Sequence, residues 1–66
     1  MRELIGKRIR ERRKELNMSQ ETLAEKSSVS RMTIIALENG KCDNPLVKTL
    51  SDIAVALDTT VEFFLT

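Results

Sequence analysis

The chain has no histidine, no tryptophan and no tyrosine, and only one cysteine, one proline and two glycines. Each scarcity excludes something. Without histidine there is no imidazole to serve as a general base, and one thiol lacks the partner that would activate it. The same shortage leaves no zinc-type ligand set, so no metal is expected. Cys42 has no second cysteine to bridge, which points to a reducing compartment. Apolar runs such as Ile34 to Leu37 are a few residues long, far too short to cross a bilayer, so no membrane partner is expected. The N-terminus opens Met-Arg-Glu with no apolar stretch, so no secretory signal is read and a cytoplasmic location is expected. There is no Gly-rich phosphate loop and no carboxylate cluster around an evident pocket. The expectation is therefore no enzyme, no cofactor and no small-molecule substrate. The 66 residues suit a single small domain, 1–66, with a modest core.

What is present is charge, unevenly spread. Charged residues make up 32% of the chain and the net charge is only +1. The first fourteen residues, however, hold seven Lys or Arg against two Glu, a net of +5. The rest carries four basic and eight acidic residues, a net of −4. Such a basic end can face a polyanion, and a solvated helix face gives the same composition.

The apolar pattern is helical throughout. A first helix is read from Arg2 to Leu16, with Ile5, Ile9 and Leu16 on its stripe. Arg13 falls on that stripe, where a guanidinium must be paired or must reach past its stem. Asn17 can take the left-handed conformation that ends a helix. Ser19 then caps a second helix, Gln20 to Lys26, which turns Leu23 and Ala24 inward. After the turn Ser27-Ser28-Val29, Ser30 caps a third helix from Arg31 to Asn39, and Gly40 stops it. A loop with Lys41, Cys42, Asp43 and Asn44 leads to Pro45, which opens the fourth segment. Leu46, Val47, Leu50, Ile53, Ala54 and Leu57 give it the cleanest amphipathic spacing in the chain. Asp58 and Thr59 break that helix, and Thr60 caps a last one with Val61, Phe64 and Leu65 on one side. The reading is a compact all-α bundle of five short helices.

With Ile34 and Leu37 turned to the core, about 100° per residue sends Met32, Ile35, Ala36 and Asn39 outward. Arg31 and Thr33 lie on the flanks. Met, Ile and Ala in a row on an exposed helix face suit a binding surface, for nucleic acid or for protein.

Several stretches carry a resemblance. They are Met18-Ser-Gln-Glu-Thr-Leu-Ala-Glu-Lys26, Val29-Ser-Arg-Met-Thr-Ile34 and Leu37-Glu-Asn-Gly-Lys41. Asn44-Pro45, Ile53-Ala54 and Val61-Glu-Phe-Phe-Leu65 extend them. In this order and spacing, from Ile5 to Leu65, the chain resembles the phage repressor/Cro-type (XRE-like) helix-turn-helix domains. The resemblance implies a lambda-repressor-like five-helix domain that binds double-stranded DNA as a homodimer, with its third helix in the major groove. It implies a transcriptional regulator, most simply a repressor. Two positions depart from the family pattern. Ser28 stands where the interhelical turn usually has Gly, and Leu46 stands where a small capping residue is common.

The resemblance also assigns roles. Base-reading positions fall on Ser30, Arg31, Met32 and Ala36, with Thr33 and Ile35 secondary. Arg31 is expected to bond guanine while Met32, Ile35 and Ala36 meet thymine methyls. Phosphate-contacting positions fall on Ser19, Gln20, Asn39 and Lys41, and Arg13 can reach a phosphate as well. Arg13 and Glu38 match a structural ion pair joining the first and third helices. Phe63 and Leu65, in the last helix, are candidates for the dimer interface. The alternative reading is a protein-interaction module, antitoxin-like or a regulator-binding partner, built on the same fold.

Overall fold

The computed structural model describes residues 1–42 and 44–66. Asp43, read above as part of the loop after the third helix, lies outside the described residues. Five helices are present among them and no strand: α1 Arg2–Glu15, α2 Gln20–Ser27, α3 Arg31–Glu38, α4 Val47–Ala56 and α5 Val61–Leu65.

Local chemistry sets their ends. The side chains of Ser19, Ser30 and Thr60 accept from Thr22, Thr33 and Phe63 backbone N–H groups, filling orphan donors in the first turns of α2, α3 and α5. Leu46 precedes α4 with no side-chain cap, since its side chain has no acceptor. Three helices close by one device. Asn17, Gly40 and Asp58 take φ of 56°, 70° and 53° after α1, α3 and α4. Each donates its N–H to the carbonyl three residues back, and the following residue bonds five residues back. This is the Schellman closure.

The core is one cluster: Ile5, Ile9, Leu23, Ile34, Leu37, Leu50, Ile53, Ala54, Leu57 and Phe64. Helix α1 packs on α3 and α5, while α2 packs on α3 and α4. Four residues read as inward are not. Leu16 stands after the last turn of α1, where the chain turns away at Asn17, and is 37% exposed. Leu46 and Val47, at the start of α4, project past the bundle, at 69% and 73% exposed. Leu65 lies one helical step around from Phe64 and is also exposed.

A glycine does what a larger residue on α1 could not. Gly6 is buried, and a Cβ there would overlap the Leu37 carbonyl oxygen and stand 3.0 Å from that of Glu38. Backbone meets backbone at this crossing, which brings the C-terminal end of α3 close to α1.

The basic helix is not a uniform positive rod. Arg12 donates from Nε to the Leu57 carbonyl at 2.9 Å and from Nη2 to that of Asp58 at 3.3 Å. It thereby meets the negative end of α4. Arg8 bonds Glu11 and the Thr66 carbonyl, and its guanidinium lies 5.8 Å from the centroid of the Phe63 ring. These two cations serve the α4–α5 side. Arg10 and Arg13 turn the other way, towards α3.

Candidate nucleic-acid interface

Helices α2 and α3 meet through three residues. The buried Ser27 donates from Oγ to the Leu23 carbonyl at 2.7 Å and accepts from the Val29 N–H at 3.3 Å. Ser28 then takes φ 58° and ψ 27°, the left-handed turn the sequence puts at this point. A non-glycine residue accepts that conformation at a cost of ~1 kcal/mol.

The turn sets α3 with Ile34, Leu37 and Glu38 buried. Met32 stands clear at 74% exposed, and Arg31 and Asn39 are exposed. Thr33, Ile35 and Ala36 are half-buried. The Met32–Ile35–Ala36 flank is thus accessible to a partner. Ser30 differs from its neighbours. Its hydroxyl accepts from Thr33 N–H at 3.1 Å and donates to Thr33 Oγ1 at 2.8 Å, so it is engaged in the cap. Ser19 does the same with Thr22, at 3.0 and 2.9 Å. In both pairs the two hydroxyls are bonded to each other beside the cap.

Behind this face lies a buried charge. The Glu38 side chain has no exposed surface, and Arg13 grips it from Nε at 2.7 Å and Nη2 at 3.0 Å. Such a fork fixes both distance and angle. Arg13 also donates from Nη1 to the Met18 carbonyl at 2.8 Å, tying the α1–α2 turn to the same point. Two further donors reach Glu38 Oε1: Gln20 Nε2 at 3.1 Å and Arg10 Nε at 3.5 Å. Burial pushes the Glu38 carboxyl up. The hydrogen bonds from Arg13 and Gln20, the Arg13 charge and the Arg10 hydrogen bond together outweigh it, and the carboxyl lies below its ordinary value.

Glu38 therefore joins α1, α2 and α3 through one carboxylate. The Arg13 link is legible in sequence because a cation interrupts an apolar stripe. The Gln20 and Arg10 links are not: Gln20 reads as a phosphate-contacting position, whereas here its amide donates inward to Glu38, and Arg10 reads as one cation among several on a basic helix. Arg10 stands one turn before Arg13, a spacing that hints at a shared face and no more.

Asn39 accepts from Arg10 Nη2 at 3.4 Å, and Lys41 is exposed just beyond Gly40. At the other end, Phe63 is half-buried, edge-on to Phe64 with centroids 6.0 Å apart and Arg8 over its face. Leu65 is 42% exposed. Among the described residues no group of three or more Cys, Asp or Glu side chains is placed to hold a metal ion. None of their helices is long and apolar enough to cross a membrane.

Known proteins are similar to this chain in sequence and in fold. SinR of Bacillus subtilis, an HTH-type transcriptional regulator, is 34% identical over 62 residues, 94% of this chain and 56% of its own length. An HTH-type transcriptional regulator of Methanothermobacter thermautotrophicus is 56% identical over 39 residues, 59% of this chain and 56% of its own. The chain thus spans little more than half the length of these curated relatives. Among solved structures, the restriction-modification controller protein C.AhdI from Aeromonas hydrophila superposes with TM-score 0.89 at 32% identity, covering 96% of this chain and 94% of that one. SinR crystallised with DNA superposes with TM-score 0.89 at 34% identity, covering 94% and 98%. SinR has also been solved in complex with the SinI protein. A helix-turn-helix family model matches residues 9–64, from the middle of α1 to the core residue Phe64, and on that match the chain belongs to the helix-turn-helix family of the XRE and Cro-repressor type.

Proposed function

We propose that this chain is the sequence-specific DNA-binding domain of a transcriptional regulator, acting as a repressor and binding operator half-sites as a homodimer with α3 in the major groove. The observation that carries this reading is the outer face of α3, with Met32 74% exposed, Ile35 and Ala36 beside it and Arg31 at the entry. Side chains at the start of a groove-bound helix meet base edges. Arg31 bonds guanine O6 and N7, while Met32, Ile35 and Ala36 pack on thymine methyls. Lys41, Asn39 and the N-terminal residues of α2 take the phosphates on either side. SinR, similar over most of this chain, has been crystallised with DNA, which supports the same use here.

Selection of bound sites from random duplex DNA tests the reading. Enrichment of paired half-sites about one helical turn apart, roughly 34–36 Å, is the expected outcome. Recovery of no preferred sequence sinks it.

A second reading has an observation of its own. Leu46 and Val47 are exposed apolar side chains at the start of α4, and SinR has a protein partner in SinI. A protein-interaction module would use such a surface. Salt separates the two: DNA binding weakens steeply as salt rises, and an apolar protein contact does not.

A further inference from the structure

Oε1 of Glu38 is offered more donors than it needs. Arg13 satisfies the carboxylate with both arms of its fork, and Gln20 adds a third bond at 3.1 Å. Arg10 is the surplus partner: its Nε stands 3.5 Å from the same oxygen, and its Nη2 makes a long 3.4 Å bond to Asn39. Its side chain is 46% exposed, against 11% for Arg13. One arginine is buried and bidentate; the other is loosely held at the surface.

Its surroundings bear on what it is for. Arg10 lines an open cleft of about 340 Å³ between α1 and the end of α3, with Glu3, Lys7, Glu11, Glu38 and Asn39. Each acid there has a cation: Glu3 lies near Arg2, Glu11 near Arg8 and Glu38 near Arg13. Lys7 and Lys14 are exposed on the face of α1 that carries Arg10, one turn to either side. Lys7 and Arg10 thus put positive charge beside the C-terminal end of α3, and Arg10 is already bonded to a residue at that end.

We propose that Arg10 is a further DNA-backbone contact, parked on Glu38 and Asn39 in the free protein and transferred to a phosphate when duplex DNA docks on α3. The inference rests on the DNA-binding reading above. A phosphate offers a full charge and two oxygens to the guanidinium, whereas Glu38 is already neutralised by Arg13. Release leaves no stranded charge, because the Arg13 fork stays in place.

Fluorescence anisotropy with a selected duplex and with a scrambled one, between 50 and 200 mM salt, tests this on the whole chain. For Arg10→Gln, the slope of log affinity against log salt becomes shallower by about 0.9 per protomer. Over that range the variant then loses about 3.5-fold less affinity per protomer than the parent chain. Its preference for the selected over the scrambled site is unchanged, its thermal midpoint stays near the parent value, and Arg10→Lys restores the slope. If the parent slope is steep and Arg10→Gln leaves it untouched, the Arg10 contact is overturned while the DNA-binding reading stands. A midpoint for Arg10→Gln that falls as far as for Arg13→Gln also overturns it, since the residue is then structural. A parent chain with no salt-sensitive DNA binding overturns both.

Discussion

At the scale of single residues, position decides more than chemical type. Glu38 and Glu62 are the same residue, one with a fully buried side chain and one exposed. The Arg13–Glu38 pair ties α1 to the end of α3, and the cost of breaking it is asymmetric. Arg13→Ala removes both fork bonds from a buried carboxylate and leaves it only Gln20 and the loosely held Arg10, at a cost of up to ~3–5 kcal/mol. For a domain of this size that is comparable with the whole stability. A double-mutant cycle with Glu38→Gln should show strong coupling, and near-zero coupling would remove the pairing. The pair also has a pH signature. A carboxyl whose folded value is lowered stabilises fully above its ordinary value, 4.5 here, and loses that contribution as pH falls through the lowered value. Thermal midpoints measured down the acid range should fall less steeply below 4.5 for Glu38→Gln than for the parent chain. Parallel curves would show that Glu38 does not titrate in this window.

Gly6 makes the same point from the opposite side. By propensity, Gly6→Ala in the middle of α1 gains about 1 kcal/mol. Here the new methyl meets the Leu37 and Glu38 carbonyls, backbone atoms that cannot step aside as a side chain could. Overpacking costs ~1–3 kcal/mol, and more where the obstacle is rigid, so the clash wins. A lower thermal midpoint for Gly6→Ala is the expected outcome, and a higher one would mean that α1 and α3 have room to part. Nothing along the sequence marks this glycine, because its reason lies across a helix crossing. Arg13 could be read because it breaks a pattern on its own helix. Gln20 and Arg10 could not, since their link to Glu38 exists only once three helices are assembled.

At the scale of elements, capping chemistry and periodicity together drew most of the helix map. Ser19, Ser30 and Thr60 start helices, and Asn17, Gly40 and Asp58 end them. Where the sequence misled, it did so at helix ends. Leu46 and Val47 keep the apolar spacing of α4, but periodicity reports which side a residue faces and not whether a neighbour stands there. On the proposed reading α3 is the element on which function turns, and its length of eight residues leaves few side chains to read a sequence. Arg31 is the one among them with a bidentate hydrogen-bonding group near the entry. Arg31→Ala should cost ~1–3 kcal/mol on the preferred site and relax selectivity at one base position per half-site. Binding measured against all four bases at each position checks it. A loss equal on every sequence would make Arg31 a phosphate contact instead.

At the scale of the molecule, the +5 of the first fourteen residues divides by direction. Arg8 and Arg12 face α4 and α5, where they bond the Leu57, Asp58 and Thr66 carbonyls. Lys7 and Arg10 face the other way, into the cleft beside the end of α3. The charge that composition alone offers to a polyanion is therefore partly spent inside the fold. This bears on the proposed homodimer as well. One domain reads one half-site, so useful specificity calls for two copies related by a two-fold axis. Of the two candidate contacts in α5, Phe63 is already covered by Arg8 and packed on Phe64, so changing it disturbs the monomer. Leu65 is 42% exposed and lies outside the core cluster, which makes it the cleaner probe. Leu65→Glu should leave the thermal midpoint nearly unchanged and weaken self-association tenfold or more, about 1.4 kcal/mol. Sedimentation of both chains, free and on a palindromic duplex, measures this. If the parent chain sediments as a monomer at high concentration and also binds the duplex one copy at a time, there is no homodimer. If it dimerises and Leu65→Glu dimerises equally well, the second copy sits on another face.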